Sequence, residues 1–365
     1  MSPLVELDGV TRRWDGRGGV DGVSLSVEEG AFVSILGPSG CGKSTLLRLI
    51  AGLERPAAGR VSIHGRDVTG APASQRGLSM VFQSYALFPH LSVRENVQFG
   101  LKVRRVPRAR REEQLAEAIG MMGLSGLEDR KPAALSGGQR QRVALARAVV
   151  AGHPMCLMDE PLSNLDAKLR QSVRRDIKAL QRRLGLTIIY VTHDQSEAMS
   201  LSDTVVLMRD GRVEQMGAPE DLYARPASLF AAQFVGDPPM AIIDGPALGL
   251  GSQVQVGIRP EALEMADPAT ADLTATVIDR EFLGADTRLI LDHPGAQGLS
   301  LALAGTGGPG PGAQVGLRLP QQNRVLFDAR TGQAEKDPRQ NYGTDSLQTT
   351  SRDGRKAHPS PQPMD

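Results

Sequence analysis

The sequence predicts an α/β fold, in which helices cover a parallel β-sheet, followed by a small all-β domain. Three buried apolar runs favour the sheet, because helical patterns connect them and strands joined in this way pair in parallel. These runs are "AFVSIL" (31–36), "PMCLMDEP" (154–161) and "LTIIYVTHD" (186–194). From residue 241 to about 330, short alternating runs are separated by Gly and Pro, which is typical of a small β-barrel or sandwich and is expected to be OB-like.

The elements around the sheet follow from changes in the hydrophobic period. Short alternating runs at 4–10, 23–30 and 59–68 predict an antiparallel β-subdomain. Residues 43–52 and 166–185 predict helices, since apolar side chains recur there at helical spacing. The first of these helices follows a buried strand directly, as in a strand–turn–helix unit.

The remaining segments set the domain boundaries. A mostly helical subdomain is expected over about 84–150, and a last helix over 223–240, ending at Pro238 and Pro239. The end of the chain is polar and rich in proline, so we expect it to be disordered. We therefore predict an N-terminal α/β domain, a β-rich domain and a disordered tail, at 1–235, 236–332 and 333–365.

Composition and charge exclude several classes of function. The 365 residues carry 42 Lys and Arg against 41 Asp and Glu, so the basic field of a nucleic-acid-binding protein is lacking. The densest basic stretch, "RRVPRARR" at 104–111, is expected to be a solvated helix entrance. Cys41 and Cys156 offer no disulfide framework or metal-ligand cluster, which is typical of a reduced cytosolic protein. With no secretory signal and no apolar run of about 18 residues, a role at a membrane would require a partner.

A Gly-rich loop between a strand and a helix carries the first chemical signal. "GPSGCGKST" matches the phosphate-binding P-loop pattern, in which backbone N–H groups approach phosphate, Lys43 reaches the β- and γ-phosphates, and Ser44 offers its hydroxyl to Mg²⁺. We therefore predict an ATP site at this loop. Its residues are Gly37, Pro38, Ser39, Gly40, Cys41, Gly42, Lys43, Ser44 and Thr45.

Polar residues at other strand ends supply the catalytic groups. Asp159 is predicted to bind Mg²⁺, and Glu160 to orient or deprotonate the attacking water. Gln83 and His193 also end apolar runs, where they could sense the γ-phosphate, and Gln83 is a further candidate Mg²⁺ ligand. Trp14 lies in a polar turn, so we expect its ring to stack on adenine.

A second Gly-rich sequence, "LSGGQ" at 135–139, is unexpected in a chain that already has a P-loop. With "SNLD" at 163–166 and the motifs above, in this order, it resembles the signature of the ATP-binding cassette (ABC) ATPases. The resemblance implies that two copies pair head to tail, so that this loop closes over ATP bound to the partner. It assigns nucleotide contacts to Ser136, Gly137, Gly138, Gln139 and Asp166.

The C-terminal part narrows the resemblance to one group of transporters. "GIRPEAL" at 257–263 is similar to the regulatory domain of importer ATPases of the maltose and glycerol-3-phosphate group. This implies an ATPase at the cytoplasmic face of the inner membrane that works with two permeases and, indirectly, with a periplasmic or lipid-anchored solute-binding protein. Residues 84–100, with Leu87 and Phe88, are the expected permease contact or, alternatively, subdomain core. The segment from Met240 to Gly257 is shorter than the resemblance implies, so we expect an incomplete regulatory domain.

The cargo expected from the resemblance is sn-glycerol-3-phosphate or a related sugar. The first alternative is an importer of polyamine, ferric iron or sulfate. A cassette ATPase of DNA repair or translation would bring coiled coils, tandem cassettes or a basic field. An interaction protein that had lost hydrolysis would lack Glu160 or His193, and both are present.

Overall fold

The computed structural model describes residues 3–14 and 17–335, and it begins with an antiparallel sheet. Its strands are β1 (Val5–Trp14), β2 (Arg17–Val27), β4 (Ala58–Ile63) and β5 (Arg66–Asp67). Their order in the sheet is β2-β1-β4-β5. Along β1, Val5 and Leu7 are buried while Glu6 and Asp8 are exposed, because successive side chains of a strand point to opposite faces. The alternating runs therefore form the predicted β-subdomain.

The second sheet contains the parallel strands. Its strands are β3 (Phe32–Leu36), β6 (Leu78–Val81), β7 (Met155–Asp159), β8 (Thr187–Val191), β9 (Thr204–Arg209) and β10 (Arg212–Gly217). The order is β10-β9-β3-β8-β7-β6, with a parallel pairing at every step except the β9-β10 hairpin. Every residue of β3, β7 and β8 is buried, which confirms the three apolar runs as central strands.

Helices cover both faces of this sheet. They are α1 (Lys43–Ala51), α2 (Val93–Val103), α3 (Arg108–Met121), α4 (Gly137–Val149), α5 (Ala167–Leu184) and α6 (Gln195–Leu201). One core joins α1, the β-subdomain and the sheet face that carries Ile189, and another joins α2 to α5 and the face that carries Tyr190. Helices α2 to α4 form the predicted helical subdomain, and its bounds of about 84–150 stay a prediction.

The predicted single helix over 223–240 is wrong. Two short helices, α7 (Pro219–Ala224) and α8 (Leu229–Phe234), lie there instead. Pro226 accounts for the break, because a proline disfavours the helical conformation of the residue before it. Ser228 then begins α8 by accepting a hydrogen bond from the backbone N–H of Ala231 at 3.2 Å.

The C-terminal domain is all-β, as predicted, and consists of two antiparallel sheets. One contains β11 (Ala241–Asp244), β12 (Val254–Ile258), β16 (Ala296–Gln297) and β19 (Val325–Asp328). The other contains β13 (Glu264–Ala266), β14 (Leu273–Phe282), β15 (Asp286–Asp292), β17 (Ser300–Ala304) and β18 (Gln314–Arg318). Ile243 and Ile258 of the first sheet share a core with Leu289 and Leu317 of the second.

The segment between Met240 and Gly257 forms a paired unit despite its short length. Strands β11 and β12 pair antiparallel from Ala241 opposite Ile258 to Asp244 opposite Gln255, and β12 also pairs with β19. The sequence predicts an incomplete first β-unit of the regulatory domain, but β11 and β12 pair here without a gap.

The chain leaves the β-domain and returns to the α/β domain. Gln333 forms a β-bridge with Ser228, and Ala334 forms one with Phe327, so the paired structure extends past the predicted start of the tail at 333. The rest of the predicted tail, 336–365, lies outside the described residues. Within the described part, the longest helices are too short or too polar to cross a membrane.

Candidate nucleotide-binding and catalytic site

Four neighbouring parallel strands present the candidate residues at one edge of the sheet. In sheet order, β3 leads into the P-loop, β8 into His193, β7 into Asp159 and Glu160, and β6 into Gln83. Because the carboxyl ends of parallel strands meet at one edge, residues distant in sequence converge there. The predicted catalytic groups are therefore brought together by the order of the strands.

The P-loop wraps back on the lysine that follows it. Lys43 is buried, and its Nζ donates hydrogen bonds to the backbone oxygens of Gly37 and Pro38 at 2.8 Å each. Gly42 has a φ of 104°, and a Cβ there would lie 2.2 Å from the backbone oxygen of Gly19 in β2. Only glycine fits this position, and its lack of a side chain allows the P-loop to pack closely against the β-subdomain.

Ser44 and Asp159 form an oxygen pair at the base of the site. Ser44 Oγ donates a hydrogen bond of 2.8 Å to Oδ1 of Asp159, which is buried. A hydroxyl and one carboxylate are the ligands by which proteins hold a nucleotide-bound Mg²⁺, with the phosphates completing the shell. In the described residues, no group of three or more His, Cys, Asp and Glu side chains could hold a metal by itself. The donor set thus fits Mg²⁺ carried by ATP.

Glu160 lies at the centre of the catalytic groups. Its Oε2 lies 3.2 Å from Nδ1 of His193 and accepts a hydrogen bond of 3.3 Å from Nε2 of Gln83. Its backbone φ of 45° is uncommon for a residue with a side chain and persists only where surrounding contacts hold it. The backbone N–H of Glu160 supplies one such contact, a 3.0 Å bond to the oxygen of Val191.

The second Gly-rich sequence forms a helix start away from the P-loop. Ser136 and Gln139 cap α4 reciprocally, since Ser136 Oγ accepts from the Gln139 N–H while Gln139 Oε1 accepts from the Ser136 N–H. Among the described residues, no hydrogen bond joins 135–139 to the P-loop of the same chain. A Cβ at Gly138 would lie 2.8 Å from the side chain of Leu169, so this glycine allows α4 to pack closely on α5.

The remaining predicted contacts are accessible or have local roles. Trp14 at the end of β1 is 41% exposed, with the Arg12 guanidinium 5.3 Å from its ring centre. Asp166 caps α5 by accepting a bond of 2.9 Å from the Leu169 N–H. Their roles toward nucleotide stay predictions.

Arginines near the site were missed by the sequence reasoning. Arg147 of α4 donates hydrogen bonds of 2.7 Å to the backbone oxygens of Tyr85 and Ala86, two residues with positive φ that follow Gln83 and Ser84. Burial lowers the pKa of this guanidinium. Arg170 of α5 contacts the turn after β8. A single arginine in an amphipathic helix carries no sequence signal that would distinguish it from a solvated one.

Comparison with known proteins identifies the family. Residues 20–163 match the ABC transporter family, and residues 256–327 match the TOBE domain family. The sn-glycerol-3-phosphate import ATP-binding protein of Salmonella choleraesuis is 44% identical over 352 residues, which cover 90% of this chain and 99% of the relative. The chain belongs to the ABC transporter family. It is an ATPase of that family, and the fold predicted for it is confirmed.

One further relative and two solved structures of ABC proteins are also similar to this chain. The Fe(3+) ions import ATP-binding protein of Escherichia coli is 44% identical over 342 residues, covering 89% of this chain and 98% of the relative. The solved structure of cbiO1 from Clostridium perfringens, part of the ABC transporter complex cbiONQ, is 28% identical with a TM-score of 0.57, and covers 62% of this chain and 92% of its own. A dimeric ATP-binding cassette in a post-hydrolysis state with ADP and Pi is 33% identical with a TM-score of 0.53, and covers 59% and 98%.

Proposed function

We propose that this ABC ATPase energises the import of sn-glycerol-3-phosphate or a closely related sugar. The observation that carries the proposal is the 44% identity to a glycerol-3-phosphate import ATP-binding protein over nearly the full length of both chains, including the TOBE domain. Import of ferric iron is the second candidate, because an iron-import relative has the same identity.

The polar residues at the carboxyl ends of the parallel strands support Mg²⁺-dependent hydrolysis of ATP. Lys43 would exchange its bonds to the Gly37 and Pro38 oxygens for bonds to phosphate oxygens. Ser44 and Asp159, with Gln83, would hold Mg²⁺, which neutralises charge on the phosphates when bound. Glu160 accepts the proton of the attacking water in this proposal.

The signature sequence supports a head-to-tail dimer. Gly137 and Gly138 begin α4, where backbone N–H groups have no acceptor within the helix, and such a helix N-terminus favours an anion. Since the P-loop of the same chain makes no bond to this sequence in the described residues, the ATP that it contacts would belong to a second copy.

The permease contact is proposed at the start of the helical subdomain. Leu87 packs on the core there and Phe88 packs on Phe99 with the rings tilted and their centres 4.4 Å apart, and both Leu87 and Phe88 are half-buried. Phe99, which is 39% exposed, extends this apolar surface outward. Two permeases bound here would hold the ATPase at the cytoplasmic face of the membrane, beneath a solute-binding protein.

Replacement of the native ATPase in cells tests the cargo. We expect this chain to restore uptake of labelled sn-glycerol-3-phosphate in Salmonella typhimurium that lacks its own import ATP-binding protein, and not ferric iron uptake in the matching Escherichia coli strain. Glu160→Gln is the control, since loss of a positioned base should lower turnover at least about 10²-fold while leaving ATP binding to Lys43 and Ser44. Rescue of iron uptake alone would assign the chain to the second candidate.

A further inference from the structure

A buried polar cluster lies directly behind His193. Glu197, only 3% exposed, accepts hydrogen bonds of 2.8 Å from Tyr190 Oη and from Thr192 Oγ1 through the same Oε2 atom. Thr192 Oγ1 in turn accepts the backbone N–H of Asp194 at 3.0 Å. These bonds fix the residues on both sides of His193, so its position depends on the Glu197 carboxylate.

Arg170 connects this turn to a different loop. Its Nη1 donates a hydrogen bond of 3.1 Å to Oδ2 of Asp194, and its Nε lies 3.8 Å from Oε1 of Glu197. Its Nη2 donates a bond of 3.1 Å to the backbone oxygen of Leu165, within the loop 163–166. One planar guanidinium therefore bridges the loop 163–166 and the turn that carries His193.

The bridge is cooperative because its members are poorly solvated. If Leu165 moves away, Arg170 loses an acceptor in a partly buried place, and an unpaired charged donor there is unfavourable. Arg170, Glu197 and Asp194 also line one pocket with Glu160 and His193. Through these contacts, a displacement of the loop 163–166 would change the distance between His193 and Glu160.

We propose that Arg170 and Glu197 are positioning residues that align His193 with Glu160 according to the state of the loop 163–166. This rests on the proposed head-to-tail dimer: a Cβ at Gly137 would lie 3.3 Å from the Leu165 side chain, so the loop lies beside the signature sequence and would border the partner cassette there. Binding of the partner would keep the Leu165 oxygen within hydrogen-bonding distance of Arg170. The cluster would then keep His193 next to Glu160. Hydrolysis would be fast only in the closed dimer.

Kinetics of purified variants tests the proposal, with a matched control on the same helix. Arg175 lies on the same helix, is exposed, and makes no side-chain hydrogen bond or ion pair among the described contacts. We expect Arg170→Gln and Glu197→Gln to lower kcat about 10- to 100-fold, the range for a misplaced catalytic group, with KM for ATP changed less than about twofold. Arg175→Gln should retain wild-type kcat.

A double-mutant cycle distinguishes action through His193 from general damage. In a His193→Ala background, Arg170→Gln should cause little further loss, because residues that act as a unit are not additive. Equal fractional losses in both backgrounds would overturn the proposal, as would equal effects of Arg170→Gln and Arg175→Gln. Failure of the dimer itself would show separately, as absence of ATP-dependent association of the otherwise unaltered Glu160→Gln chain.

Discussion

At the scale of single residues, Glu197 places a carboxyl group where the ionised form is unfavourable. Burial raises its pKa above the usual value of 4.5, and the hydroxyl donors Tyr190 and Thr192 offset this only in part. A carboxyl whose folded-state pKa is raised contributes stability that is fully present below the unfolded pKa. That contribution is lost as the pH rises through the folded pKa.

This sign gives a prediction for Glu197→Gln, whose amide does not titrate. The melting temperature of the variant relative to wild type should increase as the pH rises from about 4 toward neutrality, since only wild type ionises a buried group. Differential scanning fluorimetry across this range measures the difference, with Arg175→Gln as a control for general effects. A difference that does not change with pH would contradict the assignment of a raised pKa.

Residues of the site differ in how far the sequence could predict them. Lys43 lies in the P-loop motif, and Asp159 and His193 lie at the ends of apolar strands, so residue type and position together predicted an ATPase. Arg170 and Glu197 follow no motif, because their roles depend on which backbone atoms and side chains the folded chain places beside them. The sequence likewise did not indicate the positive φ of Glu160.

At the scale of elements, hydrogen bonds join the α/β domain to the C-terminal β-domain. Arg259, after β12, donates to the backbone oxygens of Val235 at 2.5 Å and Tyr223 at 2.6 Å, at the ends of α8 and α7. Its guanidinium also lies 4.0 Å from the ring centre of Tyr223. Burial lowers the pKa of Arg259, yet the guanidinium remains charged at physiological pH. Alternating apolar periodicity predicted the strands well, but such cross-domain contacts have no periodic signal.

The segment after β19 completes this boundary and can be removed separately. The Leu229 N–H donates to the Gly332 oxygen at 2.7 Å, and the Ala334 N–H donates to the Ala227 oxygen at 2.9 Å. Truncation after Arg330 removes these two bonds and three further backbone bonds to Leu326 and Asp328, so it should lower stability by about 5 kcal/mol, at roughly 1 kcal/mol for each lost bond. Removing only 336–365, a polar and proline-rich stretch, is the matched control and should leave the melting temperature nearly unchanged. An equal fall in both truncations would contradict this boundary.

At the scale of the whole molecule, the chain carries two Gly-rich loops that serve different copies in the proposed dimer. Lys43→Ala removes the ammonium that reaches phosphate, and Ser136→Arg removes the cap of α4 and places a bulky cation at the signature. A homodimer of either variant then has two defective sites. In a mixed dimer, the P-loop of the Ser136→Arg chain faces the intact signature of the Lys43→Ala chain, so one composite site is complete.

Mixing the two variants should therefore restore ATP-dependent association between differently tagged chains, which neither variant shows alone. Both chains carry Glu160→Gln, so that bound ATP is not consumed, and affinity capture on one tag measures the other together with bound nucleotide. We expect the mixed dimer to retain about half the ATP of the unmutated pair, because its second site combines both lesions. If the mixture fails to associate at a concentration where chains carrying only Glu160→Gln do so, the signature acts within its own chain. The P-loop and "LSGGQ" would then have to approach each other by a rearrangement of the helical subdomain, since no bond joins them in the described structure.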